Sequence, residues 1–175
     1  MNILTNVLPY IFILPLPFVF FGFIYLSYDR GAKRIIAQLP ADIVAQYADV
    51  RIWFKDYDAL KKVNMFQLDP SKALYSYNLA DLYLFKDGIV VAGKQKQFGK
   101  IWLLPPFAIR WKGGVNQLSM VRYSVQYIGL EVIGEDIDIK FQDPAYTNII
   151  KLAVKNVGPA LYRKMGELSV PDWMG

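Results

Sequence analysis

The densest set of groups able to do chemistry is the carboxylate run Glu131, Glu135, Asp136 and Asp138. Paired acids of this kind hold a hard cation or run acid–base chemistry. The spacing, however, is not that of a calcium-binding loop. Asp136, Asp138 and Lys140 alternate with Ile137, Ile139 and Phe141, the period of a strand with one wet face. The chain contains no histidine and no cysteine. That excludes Ser-His-Asp and Cys-His nucleophilic sites, Cys-based metal sites and any disulfide framework. No glycine-rich loop links a strand to a helix, so a phosphate cradle for nucleotide hydrolysis is also missing. Neither an enzyme, a cofactor nor a metal is expected.

Trp102 and Trp111 lie among Lys100, Arg110 and Lys112, a pattern able to stack on nucleic-acid bases. Tryptophan in a strand is more often core, and no nucleic-acid partner is expected. Charge is segregated along the chain. From Lys86 to Arg122 seven basic residues face one acid, Asp87, whereas from Glu131 to Asp143 five acids face one base, Lys140. Such a dipolar surface steers an acidic partner or an anionic bilayer.

The elements positioning these groups begin with an uncharged N-terminus. No charged side chain precedes Asp29, and then Arg30, Lys33 and Arg34 arrive together. Val7–Tyr28 is almost wholly apolar and would reach roughly 33 Å as a helix, about the thickness of a bilayer core. Residues 1–29 are therefore expected to be a retained single-pass anchor. A cleaved signal would carry a basic leader and a small-residue cleavage site, and neither is present. Pro15 and Pro17 favour a kink, which suits either a bent lone span or one packed on another membrane protein. The basic flank Arg30, Lys33 and Arg34 places the N-terminus outside and the remainder in the cytoplasm, against the inner leaflet of the cell membrane.

Residues 30–79 read as a mixed helical lead-in. Gly31–Leu39 continues the helix until Pro40, Ala41–Ala48 is helical, and Val50–Phe54 is extended. From Ala80 short strands follow: Leu82–Phe85 and Ile89–Ala92 about an Asp-Gly turn, then Ile101–Leu104, Phe107–Lys112, Leu118–Ile128, Leu130–Ile133 and Asp136–Phe141. Asp143 and Pro144 then have the form of a helix start. Tyr146, Ile149, Ile150, Ala153, Val154 and Val157 form one helical stripe, stopped by Gly158-Pro159. Residues 159–175 read as a C-terminal tail with a short helix.

Seven short strands followed by one amphipathic helix resemble a pleckstrin-homology-like domain. Leu82–Gly93 with Ile101–Pro105 is similar to the opening hairpins of bacterial PH-like and GRAM-like domains. The resemblance covers residues 80–158 and departs from eukaryotic PH domains in lacking a tryptophan in the final helix. It implies an α+β fold: a curled antiparallel sheet or half-open barrel of about seven strands, capped by a C-terminal amphipathic helix, here behind a transmembrane helix. It also implies that the hairpin Gly93–Lys100 contacts lipid head groups through Lys94, Lys96, Phe98 and Lys100. The expected function is a membrane-anchored binding or scaffold protein that meets a protein partner or forms a homo-oligomer. The alternative is a small inhibitor or accessory subunit of a membrane complex, using Asp136 and Asp138 against a basic surface.

Overall fold

The computed structural model describes residues 16–55, 75, 77–97, 99–111, 118–144 and 149–168. Helix α1 (Leu16–Ala37) leads into strands β1 (Ala45–Lys55), β2 (Leu79–Phe85), β3 (Gly88–Gln97), β4 (Lys100–Leu103), β5 (Phe107–Arg110), β6 (Tyr123–Ile133), β7 (Asp136–Gln142) and β8 (Ile149–Val154). Helix α2 (Gly158–Glu167) follows them. Around the sheet the order is β2-β1-β8-β7-β6-β5-β3, and β3 pairs with β2 again. The mixed α+β fold is thus a closed seven-stranded barrel rather than a half-open one, and its β5–β6 pair is parallel.

β4 and β5 share one edge of β3. β5 pairs with Gly88–Val91 and β4 with Lys94–Gln97. Between them stand Leu104, Pro105 and Pro106, and two prolines cannot donate to the ladder. One strand is thereby broken in two, and the β3–β4 hairpin overhangs the barrel.

The interior is filled by Ile52, Leu82, Leu84, Ile89, Val91, Phe107, Ile109, Ile137, Ile139, Phe141, Leu152 and Val154. One end is closed by aromatic rings, with Phe54 4.9 Å from Tyr75 and Tyr75 5.6 Å from Phe107. α2 inserts Leu161 and Met165, both fully buried, against the same interior. On the outside, Tyr83, Phe85, Val90, Ala92 and Ala108 are covered by Leu118, Val121 and the end of α1 through Ile35, Ile36 and Leu39. β2, β3 and β5 are therefore buried on both faces, which accounts for their unbroken apolar runs.

Several expectations are corrected. The helix expected from Pro144 to Val157 is strand β8 over Ile149–Val154, paired with β7 on one edge and β1 on the other; Tyr146 lies outside the described residues. The capping helix is α2 instead, inside the stretch read as a tail, with its proline in the first turn. The boundary expected at residue 80 falls within the barrel, because β1 from the lead-in is one of its staves. The strands expected over Leu118–Ile128 and Leu130–Ile133 are one strand, β6, which starts only at Tyr123, after turn and bend over residues 118–122, and has an irregularity between Tyr127 and Gly129.

α1 does not end where the charges begin. It runs through Asp29, Arg30 and Lys33 to Ala37. Among the described residues no helix is long and apolar enough to cross a membrane. Val7–Pro15, the first part of the expected span, lies outside those residues.

Candidate functional site: the helix–hairpin junction and the free edge of β6

Lys94 is consumed by the fold. Its ammonium meets Asp81 at 2.6 Å and Asp49 at 2.8 Å, and only 14% of the side chain is exposed. Asp49 sits at a bulge between Tyr47 and Val50 with φ of 53°, a left-handed conformation that Asp tolerates. That geometry also aims its N–H at Asp81 Oδ1, 2.9 Å away. Burial works against the Lys94 charge, but the two carboxylates outweigh it and hold its pKa above the ordinary lysine value. Lys94 is therefore a clamp between β1, β2 and β3, not a free head-group contact.

Lys96 and Lys100 remain exposed near the hairpin turn. Lys100 lies over the Trp102 ring, 4.3 Å from its centroid. Phe98 lies outside the described residues. Of the basic flank, Lys33 pairs with Asp29 at 2.7 Å, while Arg30 and Arg34 stay exposed.

Asp29 joins α1 to the hairpin. One carboxylate oxygen accepts the Leu103 N–H at 3.1 Å and the other accepts from Lys33. One turn earlier, the Tyr25 hydroxyl reaches Gln95 Oε1 at 3.3 Å, and its ring lies 6.1 Å from Trp102. Burial alone would raise the Asp29 pKa. The Lys33 ammonium and the Leu103 N–H reverse that and hold it below the ordinary value. Only one sequence signal pointed to this residue: it is the sole acid at the edge of an uncharged run.

The acidic run is spread over salt bridges on the barrel's outer wall. Lys55 reaches both Asp138 oxygens, at 2.8 and 2.5 Å, Lys155 pairs with Asp136, and Lys140 meets Glu131 at 3.0 Å. The Lys140 hydrogen bond lowers the Glu131 pKa. Asp136 and Asp138 are thus already matched within the molecule. Among the described residues no three His, Cys, Asp or Glu side chains converge as metal ligands.

Asp143, expected as a helix cap, is fully buried. Its Oδ2 accepts the Tyr75 hydroxyl at 2.6 Å and the Tyr123 hydroxyl at 2.5 Å. Burial first, and the Asp143 hydrogen bond second, push the Tyr75 phenol far above its ordinary pKa, so it stays protonated. This knot fixes the start of β6 beneath the aromatic end. Trp111 is buried edge-on to Tyr127 at 4.8 Å and offers no ring face for base stacking. An open cleft of about 620 Å³ is lined by Arg51, Trp53, Asn78, Lys155 and Asn156, with Lys155 4.5 Å from the Trp53 ring centre.

A feature that sequence reasoning missed is the far half of β6. On its β5 side only Tyr123–Gln126 are paired. Gly129–Ile133 pair with β7 alone among the described residues, and Ile128 sits at the irregularity between Tyr127 and Gly129. Ile128, Val132 and Ile133 are 47%, 50% and 47% exposed. Val132 and Ile133 are consecutive, so both faces of the overhang are apolar. The signal was present in that Val-Ile pair, which breaks the alternation of a half-buried strand.

No protein-family model, curated protein or solved structure matches this chain.

Proposed function

We propose that the chain is a single-pass membrane protein that presents a PH-like barrel at the inner leaflet and acts by binding, not by catalysis. Its anchor is the uncharged N-terminal segment, with the basic flank of Arg30, Lys33 and Arg34 on the cytoplasmic side. Support for the anchor comes from α1, whose N-terminal turns carry Val19, Phe20, Phe21 and Phe23 outward, Val19 and Phe23 at 70% and 72% exposure. A soluble helix does not present large apolar groups all round.

The observation that carries the binding role is the far half of β6, which among the described residues is paired on its β7 side alone. An unpaired strand edge flanked by exposed apolar side chains is a template for adding another strand. Its occupant is a second copy of the chain. In an antiparallel pairing of two β6 overhangs Ile128 faces Ile133, Gly129 faces Val132 and Leu130 faces Glu131, so no like charges oppose. Anchoring in one membrane also confines the copies to two dimensions and raises their effective concentration.

Energy transfer between differently tagged copies of the full-length chain in the same vesicles tests this. Wild type is expected to give transfer that unlabelled chain competes away, and Ile128→Lys/Val132→Lys is expected to abolish it while the barrel's thermal transition persists. Transfer retained in the double variant removes β6 as the interface. No transfer in wild type removes self-association and leaves a partner's strand as the occupant.

A further inference from the structure

β1 changes partners at Arg51. Its pairing with β2 ends at Arg51–Leu79, and its pairing with β8 on the other edge starts at Ile52–Val154. Across this crossing the Ile52 N–H reaches the Asn78 carbonyl at 3.1 Å. The Lys155 N–H reaches the Arg51 carbonyl at 2.9 Å. The start of β2 and the end of β8 are thereby held on either side of Arg51, and the cleft of about 620 Å³ opens there. Ile52 points into the barrel core, so Arg51 and Trp53 share the outer face by strand alternation, and both are exposed.

The groups along this cleft are of one electrostatic kind. Its charges are Arg51 and Lys155, and no acid lines it among the described residues. Lys155 is already paired with Asp136, and its ammonium stands 4.5 Å from the centre of the Trp53 ring. Asp136 thus sets the ammonium and the ammonium sets the ring, which leaves Trp53 a preset flat wall with 45% of its surface exposed. Asn78 and Asn156 add amide groups, both exposed. Asn156 reaches the wall because the chain turns there with φ of 66°, a left-handed conformation that asparagine tolerates. Among the described residues, the Arg51 guanidinium meets no carboxylate, and the two amide side chains make no hydrogen bond.

We infer that this cleft binds a small planar organic anion, a nucleoside monophosphate in size and chemistry. An indole ring takes any flat heterocycle by stacking. Arg51 presents a planar fork of donors that matches a phosphate. Each asparagine amide offers both a donor and an acceptor, which suits the mixed edge of a base. Lys155 is neutralised by Asp136, so one net positive charge faces the ligand, which favours a single phosphate over a polyphosphate. The cleft's size is that of small-molecule sites, roughly 300–1,000 Å³.

The test titrates the full-length chain, held in detergent micelles, with adenosine, guanosine, cytidine and uridine monophosphate. Calorimetry gives the affinity, and saturation transfer to the base protons reports stacking. At least one nucleotide is expected to bind more tightly than its nucleoside or inorganic phosphate does. Arg51→Ala and Trp53→Ala should each weaken that binding roughly tenfold or more, the loss of one charged hydrogen bond or one stacked ring. Trp53→Phe should restore part of it. Lys86→Ala, exposed at the opposite end of β2 from Asn78, should leave it unchanged. The thermal transition of the barrel certifies that each variant is folded. Failure of all four nucleotides to bind folded wild type overturns the site. Unweakened binding by folded Arg51→Ala and Trp53→Ala also overturns it, by placing the nucleotide elsewhere. Inorganic phosphate binding as tightly as the nucleotides overturns the role of the ring and leaves a simple anion site.

Discussion

At Asp29 one carboxylate accepts from the Leu103 N–H and from the Lys33 ammonium while remaining only 4% exposed. Removing it strands a backbone donor of β4 and a nearby cation. Asp29→Ala is expected to destabilise the docked state by about 1–3 kcal/mol, the usual cost of an orphaned buried group. Asp29→Asn keeps an acceptor but loses the charge. Because the folded pKa lies below the unfolded one, the charge contributes stability that is present above the ordinary carboxylate value of about 3.9. That contribution is lost as pH falls through the folded value. Thermal unfolding from pH 7 to pH 3 should therefore show the advantage of wild type over Asp29→Asn shrinking below about pH 4; an advantage constant with pH would mean that shape, not charge, holds the joint. Lys94 teaches the complementary lesson. Its exposed neighbours Lys96 and Lys100 were readable as the polar part of a hairpin. Its partners were not, since Asp49 falls between a stretch that reads as helix and one that reads as extended, and lies 45 residues away.

Among the elements, β7 and β8 are adjacent and antiparallel, yet only one was legible. β7 has a wet outer face, so Asp136, Asp138 and Lys140 mark its period of two. β8 buries Ile150, Leu152 and Val154 on one face and Ala153 on the other, with Ile149 exposed, and such a short, mostly apolar run satisfies a helical stripe equally well. The pairing that decides between them comes from β1 and β7, far away in sequence. Gly158-Pro159 has the same ambiguity: glycine ends helices, but proline in the first turn begins them. Here the glycine serves a close approach. A Cβ at position 158 would stand 2.4 Å from the Glu135 carbonyl oxygen, on the β6–β7 turn. Gly158→Ala should push α2 away from the barrel end and cost about 1–3 kcal/mol in denaturant unfolding. An unchanged midpoint would show that α2 can slide without loss of packing.

At the scale of the whole molecule, five of the barrel's seven strands, β2, β3, β5, β6 and β7, were recoverable, whereas β8 and the start of β1 read as helix and the circuit was not legible, because closure depends on contacts between distant segments. β1 opens the barrel sequence and β8 ends it, and the two are hydrogen-bonded neighbours from Ile52–Val154 to Lys55–Lys151. A chain truncated before Ile149 leaves β1 and β7 each lacking a neighbour, with their interior side chains uncovered. Such a chain is expected to lose the cooperative unfolding transition by circular dichroism; a retained sharp transition would mean that the remaining strands form a stable sheet unaided. The same pairing gives the protein a timetable. β1 leaves the ribosome about a hundred residues ahead of the strand it must meet, a wait of roughly 5–20 s at ordinary synthesis rates. Throughout that interval an N-terminal anchor would already tether the chain, and β1 would wait beside the bilayer with one ladder unmade. Translation speed between β1 and β8 thus sets how long the nascent protein is most open to sticking to its neighbours.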